Sequence, residues 1–237
     1  MIPDWQLPAG VDRGLHDYLR SAEMVRGYDA MMAVSPLAAV DLEFCGRWFD
    51  TPGRLLDLGC GTGRLGRHFG PKGFDCVGVD LSEEMLAAAE AQKLSERERF
   101  AAVNLVELSE KFRGFDFAAC LFSTLGMIRG FENRDAVLRN AFRALRPGGR
   151  FVLHVHNRYF RGVGMRGWRR GDLAMPQAYG GAPLTLHHYS RGEALRSVRA
   201  ARFRVMDVTP VSANGWLKNR WWLPKVRSYG YLIAAET

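Results

Sequence analysis

Apolar runs and amphipathic segments alternate regularly through the middle of this chain. Short apolar runs of strand length are followed by segments with apolar residues at helical spacing. The predicted strands are residues 55–58, 76–80, 100–103 and 115–122 and a fifth ending at His156. The predicted helices between them are residues 64–69, 83–94 and 133–145. This alternation predicts right-handed βαβ units and therefore an α/β fold with a parallel sheet.

The two ends of the chain depart from this alternation. Residues 1–50 are predicted to be helical, because Ser35-Pro36 is a helix-start pair and apolar residues then recur at helical spacing. Residues 158–188 have no sustained period and are predicted to be irregular. A capping box at residues 190–193 opens a further helix, and two last strands are predicted at residues 203–208 and 229–235.

A glycine-rich turn ends the first predicted strand, in residues 57–63 (DLGCGTG). Glycines let the backbone fold tightly and approach a ligand without a Cβ in the way. The helix start behind them offers free N–H groups to negative charge. Asp80 ends the next strand, where a carboxylate can accept hydrogen bonds from ribose hydroxyls. The combination predicts a nucleoside-cofactor site, and a second pattern, Gly61, Gly63 and Gly66, leaves a dinucleotide site as an alternative.

The order and spacing of these pieces resemble the class I S-adenosylmethionine-dependent methyltransferases. Besides the glycine loop and Asp80, the resemblance includes Asn104-Leu105 after the third strand, the fourth strand and the turn at residues 145–150. It implies a doubly wound, Rossmann-like sheet of seven strands with an antiparallel last strand. It also implies S-adenosyl-L-methionine as cofactor and in-line methyl transfer as the reaction. The helical cover would span residues 1–50 and the methyltransferase domain residues 51–237, with residues 158–188 over the acceptor side.

The resemblance also implies roles for single residues. Asp57 would orient the loop near the amino-acid end of the cofactor, Asp80 would bind the ribose, and Asn104 would lie near the adenine. Leu81 and Leu105 would flank the adenine. Tyr28 would close over the cofactor, with core packing as its alternative. The predicted cofactor-binding residues are Tyr28, Asp57, Gly59, Cys60, Gly61, Gly63, Asp80, Leu81, Asn104, Leu105 and Phe122.

His156 is the candidate general base. It ends the predicted fifth strand, and ligands of open α/β sheets bind beyond the carboxyl ends of the strands. His154 points to the same face one step deeper and is predicted to be a hydrogen-bonded core residue. The candidate substrate contacts are Ser123, His187, His188 and Tyr189. The chain lacks the Asn/Asp-Pro-Pro-Tyr/Phe motif that amino-group methyltransferases carry after the fourth strand. A small-molecule acceptor, methylated on oxygen, nitrogen or carbon, is therefore predicted.

Charge is distributed unevenly along the chain. Residues 158–237 contain 14 basic and 4 acidic residues, a net of +10, whereas the remainder, with 19 and 21, carries −2. Such asymmetry favours an anionic partner or a solubilising surface. Residues 215–222 also interleave aromatic and basic side chains, as in an anionic or aromatic ligand site or a packed hairpin loop. An RNA methyltransferase and a noncatalytic cofactor-binding module therefore stay open as alternatives.

Composition limits the remaining classes of protein. The length of 237 residues suits one α/β domain, and no run approaches the ~18 apolar residues of a membrane span. The 4 cysteines are scattered without metal-ligand spacing, so no metal site is predicted. Three of them lie in or beside predicted buried strands and are expected to be reduced thiols, which predicts a cytoplasmic protein.

Overall fold

The computed structural model describes residues 3–160, 171–177, 180–216 and 224–237. Its helices are α1 (Arg13–Leu19), α2 (Ala22–Ala33), α3 (Pro36–Trp48), α4 (Arg64–Phe69), α5 (Glu83–Ala91), α6 (Thr124–Met127), α7 (Phe131–Ala144), α8 (Arg191–Ala200) and α9 (Pro224–Arg227). Its strands are β1 (Arg54–Leu58), β2 (Asp75–Asp80), β3 (Glu98–Ala102), β4 (Phe115–Cys120), β5 (Leu145–His156), β6 (Asp172–Met175), β7 (Leu184–His187), β8 (Arg204–Ser212), β9 (Gly215–Trp216) and β10 (Gly230–Glu236).

Across the described residues, the main sheet has eight strands in the order β3-β2-β1-β4-β5-β10-β8-β9. Strands β1 to β5 are parallel, whereas β10 is antiparallel to both of its neighbours. The predicted doubly wound sheet is therefore confirmed. The predicted count of seven strands was one too low, because the two-residue strand β9 folds back onto β8 and pairs Trp216 with Val211.

The chain adds β2 and β3 on one side of β1 and then β4 and β5 on the other, so the strand order reverses between β1 and β4. In open α/β sheets the crevice beyond the carboxyl ends of the strands at such a reversal is where ligands bind. The glycine loop follows β1 directly, so the fold brings that loop to the crevice. The topology therefore places the candidate cofactor residues at one edge of the sheet.

Part of the segment that was predicted to be irregular is a second small sheet. Strands β6 and β7 pair antiparallel, with Asp172 opposite His187 and Met175 opposite Leu184. Both strands have only four residues, too few to reveal a period in the sequence. Residues 161–170, 178–179 and most of the aromatic and basic stretch, residues 217–222, lie outside the described residues.

The observed helix ends were compared with the predicted ones at their capping residues. Helix α5 ends at Ala91 rather than at residue 94, and the N–H of its C-cap Gln92 donates to the Ala89 carbonyl. The predicted capping box before α8 is present, with both Ser190–Glu193 hydrogen bonds formed. Ser35 is the N-cap of α3, but its side chain makes no capping hydrogen bond.

Two apolar layers cover the sheet, one on each face. Phe44 of α3 and Phe69 of α4 belong to one cluster with side chains of β1 and β4. Val137 of α7 and Val198 of α8 belong to the other. The four cysteines are all free and buried, Cys45 in α3 and the other three in or beside strands. Among the described residues, no helix has the length and apolar character needed to cross a membrane.

Candidate cofactor and acceptor site

The loop after β1 is tied to the end of β2 by three backbone N–H groups. Those of Gly59 and Cys60 donate to the Val79 carbonyl at 2.8 and 3.1 Å, and that of Gly61 donates to Asp80 Oδ2 at 2.9 Å. Gly59 has a φ of +80°, and a Cβ there would overlap the Thr124 methyl group. Only glycine therefore fits this turn while α6 packs against it.

Asp80 is fixed in direction by hydrogen bonds to the main chain. Its Oδ1 accepts from the Ser82 N–H at 3.0 Å, while Oδ2 accepts from Gly61. The side chain is buried, and burial raises the pKa of Asp80, opposed by these backbone donors. Each carboxylate oxygen keeps a second lone pair for a ligand hydroxyl. The acid that the sequence assigns to the ribose thus lies where a ribose could reach it.

A cleft of about 680 Å³, part of it open to solvent, lies beside this loop. Seven of the predicted cofactor residues line it: Tyr28, Gly59, Gly61, Asp80, Leu81, Asn104 and Leu105. The lining of this cavity combines an acid and glycine backbone with leucine side chains. Such a lining suits the polar sugar and the apolar faces of an adenosine.

Several further residues that line this cavity were not predicted from the sequence. Leu15, Tyr18 and Leu19 of α1 line the cavity, together with Thr124 and Met127 of α6. The α1 residues recur at the i, i+3, i+4 spacing of one helical face, and this spacing could have predicted that they share a face. Nothing in the sequence, however, places that face against residues about 60 positions away. Helix α1 is thus part of the wall of the cavity.

Asn104 holds the N-terminal segment as well as lining the cavity. Its Oδ1 accepts from the Val106 N–H at 3.0 Å, and its Nδ2 donates to the Ala9 carbonyl at 3.0 Å. The Arg129 N–H donates to the neighbouring Gly10 carbonyl at 2.8 Å. Residues on both sides of the cavity therefore fasten the segment that leads into α1.

A smaller cavity of about 320 Å³ adjoins the first and shares Tyr28, Gly59 and Thr124 with it. Asp57 and Arg64 lie in its wall, which also includes Cys60 and Phe122 of the predicted set. Burial raises the pKa of Asp57 to about 7, with Arg64 opposing the shift.

The Arg64 side chain is held in place by hydrogen bonds to α3. It donates to the Ala38 carbonyl at 2.7 Å and to Asp41 Oδ2 at 3.2 Å. Together with Asp57 it gives this cavity one carboxyl group and one guanidinium group. Such a pair of side chains suits an amino-acid group.

Gly63 and Tyr28 were both predicted to bind the cofactor, but of the two only Tyr28 lines the cavities. Gly63 lines neither cavity: it precedes α4 with a φ of +83°, and a Cβ there would lie 2.9 Å from Phe100 Cζ. Its requirement for glycine is therefore one of packing. Tyr28 lines both cavities and lies over Gly61, where an added Cβ would meet its ring at 3.5 Å. Burial raises the pKa of Tyr28 to about 12, so the phenol stays protonated.

A strained turn follows β4 on the acceptor side. Phe122 and Ser123 both have left-handed backbone, with φ values of +51° and +63°. Such strain in non-glycine residues clusters at functional sites. Ser123 is fully buried, and its Oγ accepts from the His156 N–H at 3.4 Å. Ser123 therefore links this turn to β5 and is enclosed by protein.

His154 and His156 point to the same face of β5, as alternation predicts. His154 Nδ1 lies 2.7 Å from Asp41 Oδ1, and both side chains are fully buried. The His156 ring lies 4.6 Å from the Tyr229 ring and 6.2 Å from the Phe122 ring, between centroids. Within the described residues, the Nε2 atoms of both histidines are buried without a hydrogen-bond partner.

Burial, with His154 and His188 nearby, holds the pKa of His156 well below its usual range. The imidazole is therefore neutral at neutral pH and has a nitrogen lone pair free to accept a proton.

The other candidate substrate contacts lie around β7. His187 Nδ1 is 2.6 Å from Asp172 Oδ1 and its Nε2 is 2.8 Å from Glu193 Oε1, so neither nitrogen is free for an acceptor. His188 lies beside His156, with 5.6 Å between ring centroids. Tyr189 is buried, and its hydroxyl has no hydrogen-bond partner in the described part of the chain. The same part holds no group of three or more His, Cys, Asp or Glu that could bind a metal ion.

Comparison with known proteins supports the same assignment. A family model described as "Methyltransferase domain" matches residues 34–220. The ubiquinone biosynthesis O-methyltransferase of Dechloromonas aromatica is 32% identical over 108 residues, covering 44% of this chain and 45% of that protein. The protein of the same name from Sinorhizobium medicae is 25% identical over 244 residues, covering 100% and 91%. The chain spans about half the length of the first curated relatives it matches.

Solved structures show the same fold. The 1,6-didemethyltoxoflavin-N1-methyltransferase of Burkholderia thailandensis, solved with S-adenosylhomocysteine, has a TM-score of 0.66 at 22% identity, covering 98% of this chain and 93% of that one. The CcbJ methyltransferase of Streptomyces caelestis has a TM-score of 0.69 at 17% identity, covering 90% and 95%. The predicted family, with S-adenosylmethionine as its cofactor, is therefore confirmed. This chain belongs to the class I S-adenosylmethionine-dependent methyltransferases.

Proposed function

We propose that this chain transfers a methyl group from S-adenosylmethionine to a small-molecule acceptor at the carboxyl edge of its sheet. One observation carries the proposal: the Asp80 carboxylate, tied to the Gly61 N–H, lines a cavity together with Leu81 and Leu105. Gly59 supports the fit, because its backbone lines the same cavity without a side chain. When bound, the cofactor supplies a methyl group already activated on a sulfonium sulfur.

The cofactor residues divide between the two cavities. Asp80 would accept from the ribose hydroxyls, and Leu81 and Leu105 would cover the faces of the adenine. Asp57 and Arg64, in the smaller cavity, would hold the ammonium and carboxylate groups. The protein then contributes mainly alignment for in-line transfer, which can be worth ~7–11 kcal/mol.

His156 would serve as the base that takes the acceptor proton. Its unpartnered Nε2 and its position at the end of β5 support this role. A positioned base contributes about 10²–10⁴-fold to rate. The rings of Phe122, His188 and Tyr229 around it favour an aromatic acceptor. A hydroxyl oxygen is the acceptor atom that the names of the ubiquinone-pathway relatives favour.

A two-step experiment tests the proposal. Isothermal titration first measures the affinity for S-adenosylmethionine and for S-adenosylhomocysteine. Radiolabelled S-adenosylmethionine is then incubated with the protein and a bacterial extract divided into small-molecule and RNA fractions. Label is expected in the small-molecule fraction, and His156→Asn should reduce it at least about tenfold while binding persists. Label in the RNA fraction alone would move the acceptor to nucleic acid, and binding without label anywhere would favour a noncatalytic module.

A further inference from the structure

Six charged side chains of alternating sign connect the N-terminal helices to α8. The series runs through Asp12, Arg129, Asp172, His187, Glu193 and Arg158. Arg129 Nε lies 3.1 Å from Asp12 Oδ2, and its Nη1 lies 3.4 Å from Asp172 Oδ2. Glu193 pairs at the far end with Arg158.

His187 is at the centre of the series and is almost fully enclosed. Its two ring nitrogens lie 2.6 and 2.8 Å from carboxylate oxygens of Asp172 and Glu193. Only an imidazolium carries protons on both nitrogens, so only the protonated ring makes both hydrogen bonds. Burial opposes it, but the His187 hydrogen bond lowers the pKa of both Asp172 and Glu193 and keeps them ionised.

The charged and titratable groups around this ring come from several elements. Asp172 of β6 and Glu193 of α8 touch it, and the ring of Tyr189 lies 4.6 Å away between centroids. The groups one step further out are Arg129, Arg134, Arg158 and His188. Each of the two carboxylates that touch the ring therefore also has an arginine beside it: Arg129 for Asp172 and Arg158 for Glu193.

The same series bears on the cofactor cavity through α1. Asp12 is the N-cap of α1, and its Oδ1 accepts from the Leu15 N–H at 2.9 Å. The connection between β6 and β7 also grips this helix: Gln177 Nε2 donates to the Gly14 carbonyl at 2.8 Å, and the Ala182 N–H donates to Asp17 Oδ2 at 3.0 Å. Helix α1 therefore rests on the hairpin, and the hairpin is fastened to α8 through His187.

We propose that His187 is a positioning residue of the cofactor site, whose contacts with Asp172 and Glu193 fasten the β6–β7 hairpin to α8 and thereby hold α1 over the cavity. The proposal rests on the proposed cofactor binding, because α1 supplies Leu15, Tyr18 and Leu19 to the wall. Loss of the His187 contacts releases the hairpin and α1 and weakens cofactor binding.

The test measures the affinity for S-adenosylhomocysteine by isothermal titration. Wild type is compared with His187→Gln and with His68→Gln, a matched control in α4 outside the series. His187→Gln should bind about tenfold more weakly than wild type and the control. Equal affinities for all three proteins would overturn the proposal. Asp172→Asn, which keeps His187 in place, replaces His187→Gln if that variant does not fold, with the same expectation.

Hydrogen exchange of the unliganded protein separates this proposal from the proposed function. Amides of α1 should exchange faster in His187→Gln than in wild type. Equal exchange of α1 in the two proteins contradicts the role of His187. Failure of wild type to bind S-adenosylhomocysteine, with the exchange result intact, would overturn the proposed function alone.

Discussion

The Gly61 N–H donates to the Asp80 carboxylate at 2.9 Å, which joins the loop after β1 to the end of β2. Since the other carboxylate oxygen accepts from Ser82, the acid points in one direction before a ligand arrives. A ligand that uses this carboxylate does not have to order it, so less free energy is lost on binding. The loop and the acid therefore act as one preformed unit.

Replacing Asp80 with Asn tests this unit. The amide would turn an N–H₂ group toward one of the backbone donors and would weaken the contact to a ribose hydroxyl. Hydrogen bonds to a charged group contribute about 1.5–3 kcal/mol, so the affinity for S-adenosylhomocysteine should fall about 10–100-fold. Asp75→Asn, at the exposed start of the same strand, is the control and should change it little. Equal affinities in isothermal titration would show that Asp80 does not bind the cofactor.

Gly59→Ala should destabilise the protein and abolish cofactor binding. The new methyl group would overlap Thr124 in a backbone conformation with a φ of +80°. Such strain costs on the order of 1–3 kcal/mol in urea unfolding. Adding Thr124→Ser removes the methyl group that it meets and should recover part of the loss. Gly46→Ala in α3 is the control: no heavy atom lies within 4 Å of its Cβ, and stability should rise by about 0.5–1 kcal/mol.

Asp57 should make stability fall with pH. Burial raises its pKa to about 7 in the folded protein, whereas an unfolded chain has a value of ~3.9. Between these values the folded state holds a proton that the unfolded state has lost, so rising pH favours unfolding. Asp57→Asn should remove about 2–4 kcal/mol of that decline, measured by urea unfolding at pH ~4 and pH ~7.5. The same decline in both proteins would place the titrating group elsewhere.

Asp41→Asn should be costly because Asp41 is a buried carboxylate that contacts both Arg64 and His154. Asp41 faces His154 at 2.7 Å and Arg64 at 3.2 Å, and it is fully buried. Removing one partner of a buried pair costs about 3–5 kcal/mol. Asp50→Asn, which breaks an exposed pair with Arg150, should cost no more than about 1 kcal/mol. A similar urea midpoint for the two variants would rule out a structural role for the Asp41 carboxylate.

Features encoded by neighbouring residues could be predicted from the sequence. The glycines of the loop, Asp80 at the end of its strand, and the strand–helix alternation all depend on short segments, and the structure shows each of them. The Ser190–Glu193 capping box is equally local and is also present.

Features that depend on distant contacts could not be predicted. Nothing near Asn104 in the sequence shows that its amide binds the Ala9 carbonyl, 95 residues away. His187 was predicted to contact substrate because of its residue type, but its nitrogens face Asp172 and Glu193. Gly63 fits the cofactor motif, yet its surroundings are Phe100 and Ala89. The type of a residue and its spacing indicate which contacts its side chain can make. The residues around it in the folded protein decide which of those contacts it does make.

A crystal structure with S-adenosylhomocysteine would show where the cofactor binds. We expect adenosine between Leu81 and Leu105, with both ribose hydroxyls on Asp80 and the amino-acid group beside Asp57 and Arg64. Adenosine bound elsewhere, or a cleft that stays empty at saturating concentration, would contradict this expectation.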